Sequence, residues 1–204
     1  MADVPRALDP GRAFVAGAQA TNVTLLDFWR WSASDLLSNT LRGRLPEFIV
    51  ARAVGATAEV RREWDGHDVE TPSGVRIEVK SASYVQSWRQ NRPSHISFGI
   101  GPRLAWSHET GSYGDTRRRH ADVYVFALLG RVGEQEVDPL NLDHWTFYVL
   151  LATGLDLRVG TQKSIGLASL LRLGPEGATF STLADVITRV VARPSSAKKP
   201  EAGK

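Results

Sequence analysis

Apolar positions change period twice along the chain. Between Pro46 and Gly55 they recur at helical spacing: Leu45, Phe48, Ile49 and Ala53 fall on one stripe. Pro46 suits a first helical residue and Gly55 a stop. Upstream, Asp27–Leu41 reads as one or two helical turns ended by Gly43, with Phe28, Trp29 and Trp31 expected to pack as core. The period then shortens to two. Glu63–Thr71, Val75–Ser81, His95–Ile100, Val123–Leu129 and Trp145–Leu151 each carry the β-branched and aromatic content of a strand. Helical spacing returns in Leu167, Leu170 and Leu171 before Gly174. It returns again in Leu183, Val186, Ile187, Val190 and Val191, with Ser181 or Thr182 as cap. Helix, strands, then helices predict an α/β (α+β) domain around a mixed sheet. Pro102–Thr116 and Arg131–Asp143 read as excursions from it, and no internal repeat is visible.

The segment WDGHDVETPSGVRIEVKSASYVQSW, residues 64–88, predicts a hairpin. Pro72, Ser73 and Gly74 suit a three-residue loop, a type I turn followed by a left-handed glycine. Thr71 and Val75 then close the turn, and Glu70 faces Arg76, Val69 faces Ile77, Asp68 faces Glu78, His67 faces Val79 and Gly66 faces Lys80. The first two pairs are favourable, one by opposite charge and one by apolar contact. Val69, Val75, Ile77 and Val79 share one face, with His67 beside them as a structural residue. Asp68, Glu70, Arg76, Glu78 and Lys80 share the other.

Alternation of this kind also describes a plain half-wet strand, but one pair does not fit that description. Asp68 opposite Glu78 sets two carboxylates roughly 5 Å apart, and like charges there destabilise a hairpin by about 0.2–1 kcal/mol. A shared divalent cation turns that repulsion into coordination, since Mg²⁺ is commonly held by one or two carboxylates with water and phosphate oxygens. Lys80 emerges on the same face, and Gly66 opposite it leaves room for a ligand. A metal-polarised phosphate, a metal-bound water and an orienting ammonium are the parts of metal-assisted phosphodiester hydrolysis. Asp65 competes for the metal position if the hairpin slips. Glu47, off the apolar stripe in the first turn of its helix, is by itself a carboxylate complementing the helix dipole.

Asp68 followed after nine residues by Glu78-Val79-Lys80 on an apolar strand resembles the signature of the PD-(D/E)XK nuclease superfamily, the restriction-endonuclease-like proteins. The segments SASYVQSW, RRRHADVYVFAL and QKSIGLASL also look like those of its bacterial members. The resemblance is specific over roughly residues 40–130 and diffuse beyond. It implies a restriction-endonuclease-like core, a mixed central sheet flanked by an N-terminal helix carrying Glu47 and by C-terminal helices. It also implies that Asp68, Glu78 and the Val79 carbonyl hold Mg²⁺ (or Mn²⁺) and that Lys80 assists the attacking water. Glu47 becomes a further acidic residue at the metal site. Where family members commonly carry proline before the first acidic residue, this chain has His67.

Composition adds exclusions. The 204 residues contain no cysteine, which removes disulfides, thiolate zinc sites and cysteine nucleophiles. Residues 1–192 are expected to form one nuclease-like domain, and 193–204 a disordered basic tail. Arg193, Lys198, Lys199 and Lys204 against Glu201 account for the whole net charge of +3, so the remainder is balanced. Within it, Arg89, Arg92 and Arg103, and Arg117, Arg118 and Arg119, form clusters suited to phosphates, although a solvated face is the more frequent explanation of such clusters. Gln86 stays on the Glu78 side if the strand runs on through Ala82 and Tyr84, and is then a candidate to touch water or phosphate. Trp64, Trp88 and Trp106 are expected in the core rather than on bases. His120 and Asp122 lack a third metal ligand, and His95, His108 and His144 have no ligating spacing. No phosphate-binding glycine loop or nucleophile elbow is present. The first twenty residues carry no signal sequence and no apolar run is long enough for a membrane helix, so a soluble cytoplasmic protein is expected.

The expected function is metal-dependent cleavage of DNA, endonucleolytic or exonucleolytic, in restriction, defence or repair. A double-strand cut from one site per chain implies a symmetric homodimer. The alternatives are a catalytically silent nucleic-acid-binding or scaffolding protein on the same fold, and a ribonuclease effector. Lys80→Ala is expected to abolish cleavage and leave the fold intact.

Overall fold

The computed structural model describes residues 6–56, 60–61, 66–107, 111–130 and 137–193. A hairpin of β1 (Ala13–Ala16) and β2 (Gln19–Thr24) leads into α1 (Leu25–Ala33), then α2 (Leu41–Ala53). The sheet-forming region follows with β3 (Val69–Glu70), β4 (Arg76–Ser83), β5 (Ser97–Gly99), β6 (Trp106–Ser107), β7 (Ser112–Tyr113), β8 (Val123–Leu129) and β9 (Trp145–Leu151). The chain continues through α3 (Ala152–Val159), β10 (Ser164–Gly166), α4 (Leu167–Arg172), β11 (Glu176–Ala178) and α5 (Leu183–Ala192).

Five strands form the central sheet in the order β11-β9-β8-β4-β3. Only β4 and β8 run parallel; the other neighbours are antiparallel, so the sheet is mixed as the alternation of elements predicts. β8 is buried along its whole length because both faces of the sheet are covered. On one face Ile77, Val79, Val123, Val125, Phe147 and Val149 pack with Ile49 and Val50 of α2 and with Leu183, Val186, Ile187 and Val190 of α5. On the other, Tyr124, Phe126 and Leu128 pack with Phe98, Ile100, Leu155, Ile165 and Leu170. The period of two along β8 is thus divided between two cores. Among the described residues no helix is long and apolar enough to cross a membrane.

The helix carrying Glu47 departs from its expected start. It begins at Leu41 and contains both Gly43 and Pro46. The Arg42 and Arg44 N–H groups bond back to Ser38 and Thr40, so helical bonding is established before the proline, which removes a single donor. The end is as read. Gly55, at φ +68°, donates to the Arg52 carbonyl, and Ala56 to that of Ala51, the paired bonds of a Schellman stop. Rotation of the helix sends Ile49 and Val50 into the core and leaves Phe48 56% exposed, against its expected place on the buried stripe.

The N-terminal region is a further departure. α1 stops at Ala33, not near Leu41, and buries none of its residues. Phe28 and Trp29 are exposed and Trp31 is 84% exposed, so these aromatics are not core. Among the described residues, neither core draws on any position before Leu37. The β1–β2 hairpin, α3, β10 and β11 are short or weakly patterned and carry no clear periodic signal.

Candidate active site

The predicted hairpin forms with Glu70 opposite Arg76 and Val69 opposite Ile77, and the Thr71–Val75 bond closes the turn. Gly74 supplies the left-handed residue at φ +84°. The ladder then stops. Asp68 donates its N–H to Ile77 O at 3.0 Å, leaving the regular rungs, and the pairs expected at Asp68–Glu78, His67–Val79 and Gly66–Lys80 are not ladder pairs. In place of the backbone, the Asp68 carboxylate accepts the Val79 N–H at 2.8 Å. The N–H and C=O of one strand residue leave on the same edge, so the Val79 carbonyl also faces the Asp68 side.

β4 has no wet face. Glu78 sits opposite Tyr124, and Lys80 opposite Phe126, on β8, so both belong to the second face of the sheet. Glu78 is 1% exposed. Its Oε1 accepts hydrogen bonds from Lys80 Nζ and from an Arg103 Nη2 that reaches in from the excursion between β5 and β6. Burial, with the Glu78 charge beside it, pushes the Tyr124 hydroxyl up to about 12, so it remains protonated. Burial also raises the Asp68 carboxyl, helped by the negative charges of Glu78 and Glu47, to about 6. These effects place Asp68, Glu78 and Glu47 in one electrostatic neighbourhood. Glu47 lies in the same cleft as Asp68 and accepts from Arg61 through both oxygens; with α2 starting at Leu41 it stands beyond the first turn and is not the helix-dipole partner expected of it.

Lys80 is partly buried and bound to Glu78, so its removal is not the loss of a free surface charge. Space expected beside Gly66 is filled, since a Cβ there would stand 3.2 Å from His120 Cβ. His120 in turn donates from Nε2 to Arg103 O at 2.9 Å, while Asp122 accepts from the Arg76 backbone and guanidinium. The His120/Asp122 pair is therefore taken up in structure, and Arg76 holds the Asp122 carboxyl below the usual range. His67 does not face the apolar core: it lines the cleft with Asp68 and pairs with Glu70 at 3.4 Å.

The outlying candidates divide. β4 ends at Ser83, so Gln86 does not continue its face. Gln86 accepts from Arg42 and donates to Ser94 Oγ at 2.9 Å instead. Arg89, Arg92, Arg117 and Arg118 are exposed. Arg119 is not available to a ligand: its side chain is fully buried, donating to Ile100 O and pairing with Asp156. Trp88 is 56% exposed, in a loop with Arg89 and Arg92, contrary to its expected core place. Trp64, Asp65 and His108 lie outside the described residues. Arg103, expected as a phosphate contact, reaches Glu78 instead, and neither that contact nor the exposure of Phe48 was legible, because neither follows from strand or helix period.

Among the described residues no group of three or more His, Cys, Asp or Glu stands together as a metal cage. The donors the sequence pattern names, Asp68, Glu78 and the Val79 carbonyl, are all oxygen, a chemistry that suits a hard cation keeping water and substrate oxygens rather than a closed zinc site.

No curated protein matches the chain. A family model does match, over residues 19–153, the stretch that contains Glu47, Asp68, Glu78, Lys80 and Arg103. That match covers more than half of the 204 residues and places the chain in the bacteriophage T4 endonuclease IV family, a family of nucleases.

Proposed function

We propose that the protein is a Mg²⁺- or Mn²⁺-dependent DNA endonuclease whose site is of the PD-(D/E)XK kind. The observation that carries this reading is the Asp68 carboxylate bound to the Val79 N–H, between Glu78 and Lys80 along β4, at the point where the hairpin ladder is interrupted. Asp68, Glu78 and the Val79 carbonyl would hold the cation, which would supply Lewis acidity at the phosphate and a water of lowered pKa. Lys80 hydrogen-bonds the attacking water and offsets charge developing on the phosphate. Arg103, already at Glu78, is placed to exchange that contact for a phosphate oxygen. Glu47, steadied by Arg61, orients water on the α2 side. Water adds in line to phosphorus and releases one proton to solvent, the bond from phosphorus to the leaving sugar oxygen breaks, that oxygen takes up a proton from solvent, and no covalent intermediate forms. Arg89, Arg92, Arg117 and Arg118 contact the DNA backbone.

The test is cleavage of plasmid DNA with Mg²⁺, with chelator, and with Asp68→Asn. Cutting by wild type with the metal alone supports the reading, and metal-independent or Asp68-independent cutting overturns it. Duplex DNA, single strands and structured RNA in the same assay separate a deoxyribonuclease from a ribonuclease effector.

One observation favours a second reading. Glu78 is already neutralised by two cations, which is how a silent site on the same fold would satisfy a buried carboxylate. Calorimetry with Mg²⁺ or Mn²⁺ decides, since a silent site releases no heat that depends on Asp68.

The reading extends to a homodimer. The N-terminal hairpin and α1 expose Phe14, Val15, Val23, Leu26, Phe28, Trp29 and Trp31, on the order of 600 Å² of apolar surface. Pairing two copies there buries on the order of 1,200 Å², which reaches the size of a specific interface.

A further inference from the structure

Phe48 is the residue of α2 that the core does not take. Its neighbours Ile49 and Val50 are buried, yet Phe48 is 56% exposed and lines the cleft that holds Glu47 and Asp68. That cleft has a volume of about 230 Å³, and Arg44, Ala51, Arg61 and His67 also line it. The Arg52 guanidinium lies 5.0 Å from the ring centroid. Arg44, Phe48 and Arg52 follow at i, i+4 and i+8, so the aromatic ring sits in a basic ridge along one side of the helix.

An aromatic ring left half in water contributes little to folding. It matches a flat, neutral π-surface. Bases stack on such rings with little dependence on sequence, because every base has a π-face. A phosphate at the cation held by Asp68 carries its attached nucleosides on either side, and Phe48 lines the same cleft as Asp68. We propose that Phe48 is the stacking platform for the base of a nucleotide flanking the scissile phosphate. Arg52 braces the ring by its cation–π contact. Phe48 is a positioning residue, and this assignment rests on the nuclease reading above.

The experiment compares wild type, Phe48→Ala and Phe48→Trp on oligonucleotides that are intact or carry one abasic site next to the cleaved bond. Phe48→Ala is expected to lower kcat/KM about tenfold on intact DNA, chiefly through KM, with Phe48→Trp close to wild type. One abasic position is expected to cost wild type the same factor and to cost Phe48→Ala nothing more. Penalties that multiply, or an unaffected Phe48→Ala, overturn the proposal. The same six combinations are read by fluorescence anisotropy without metal. If wild type binds but does not cut, non-additive binding losses sustain the stacking platform while the catalytic reading fails. If it neither binds nor cuts DNA, both fall. Equal melting temperatures exclude misfolding of the exposed-residue variants as the cause.

Discussion

The carboxylate of Asp68 accepts the N–H of Val79 at 2.8 Å and so replaces a backbone rung at the point where β3 leaves β4. One side chain both terminates the hairpin ladder and is held against the strand carrying Glu78 and Lys80. The same placement makes ionised Asp68 costly. Its carboxyl is raised from 3.8 to about 6, by burial first and then by the Glu78 and Glu47 charges.

That cost sets a pH dependence for the metal-free protein. A carboxyl raised on folding binds its proton more tightly in the native state, so stability is highest below the unfolded value. It falls as pH rises from about 4 to about 6, and stays low above. A shift of two units corresponds to at most about 3 kcal/mol. Asp68→Asn keeps an acceptor for the Val79 N–H without the charge. Its midpoint in urea at pH 8 with chelator should exceed that of wild type, with the gap closing near pH 4. A constant gap across that range would contradict the assignment.

Glu78 provides the complementary prediction. Removing either Lys80 or Arg103 leaves the buried carboxylate one cation, and each single alanine variant should lose about 1–2 kcal/mol. Removing both leaves an unpaired buried charge and should cost about 3–5 kcal/mol, more than the singles together. A double-mutant cycle by denaturant titration measures the excess, and strict additivity would mean that the two cations do not share Glu78. Lys80→Ala should still abolish cleavage.

The arginines predict two different phenotypes. Replacing any of Arg89, Arg92, Arg117 or Arg118 by alanine should leave the melting temperature unchanged and reduce the salt slope of DNA binding by about one. Arg119→Ala should instead lower stability by about 2–3 kcal/mol, because it abandons the Ile100 carbonyl and empties a fully buried position. Anisotropy titrations at several salt concentrations, beside thermal melts, separate the classes.

If two copies pair through α1 and the N-terminal hairpin, Trp31→Glu should convert the protein to monomers in sedimentation velocity at micromolar concentration. A wild type that sediments as a monomer there removes the dimer.

Much of the fold follows from local pattern. The turn at Pro72–Gly74, the Val69–Ile77 register, β8, β9 and α5 each rest on the spacing of a few side chains or on one glycine, and those are properties of the chain itself. The spacing of Asp68, Glu78 and Lys80 is likewise written in the sequence. Their surroundings are not. A strand pattern with one polar face does not tell whether that face meets water or a second layer. Glu78 is buried because β5, β10, α3 and α4 arrive from residues 97–172 to cover it. Arg103 reaches Glu78 across 25 positions, and no periodicity connects them. Phe48 is apolar and by pattern internal, but α2 packs with Ile49 and Val50 inward and leaves Phe48 at the cleft. The sequence by itself determined which residues can carry the chemistry and how they are spaced along one hairpin. Tertiary structure alone decided which of them are desolvated and paired, because burial and long-range charge depend on what packs from elsewhere in the chain.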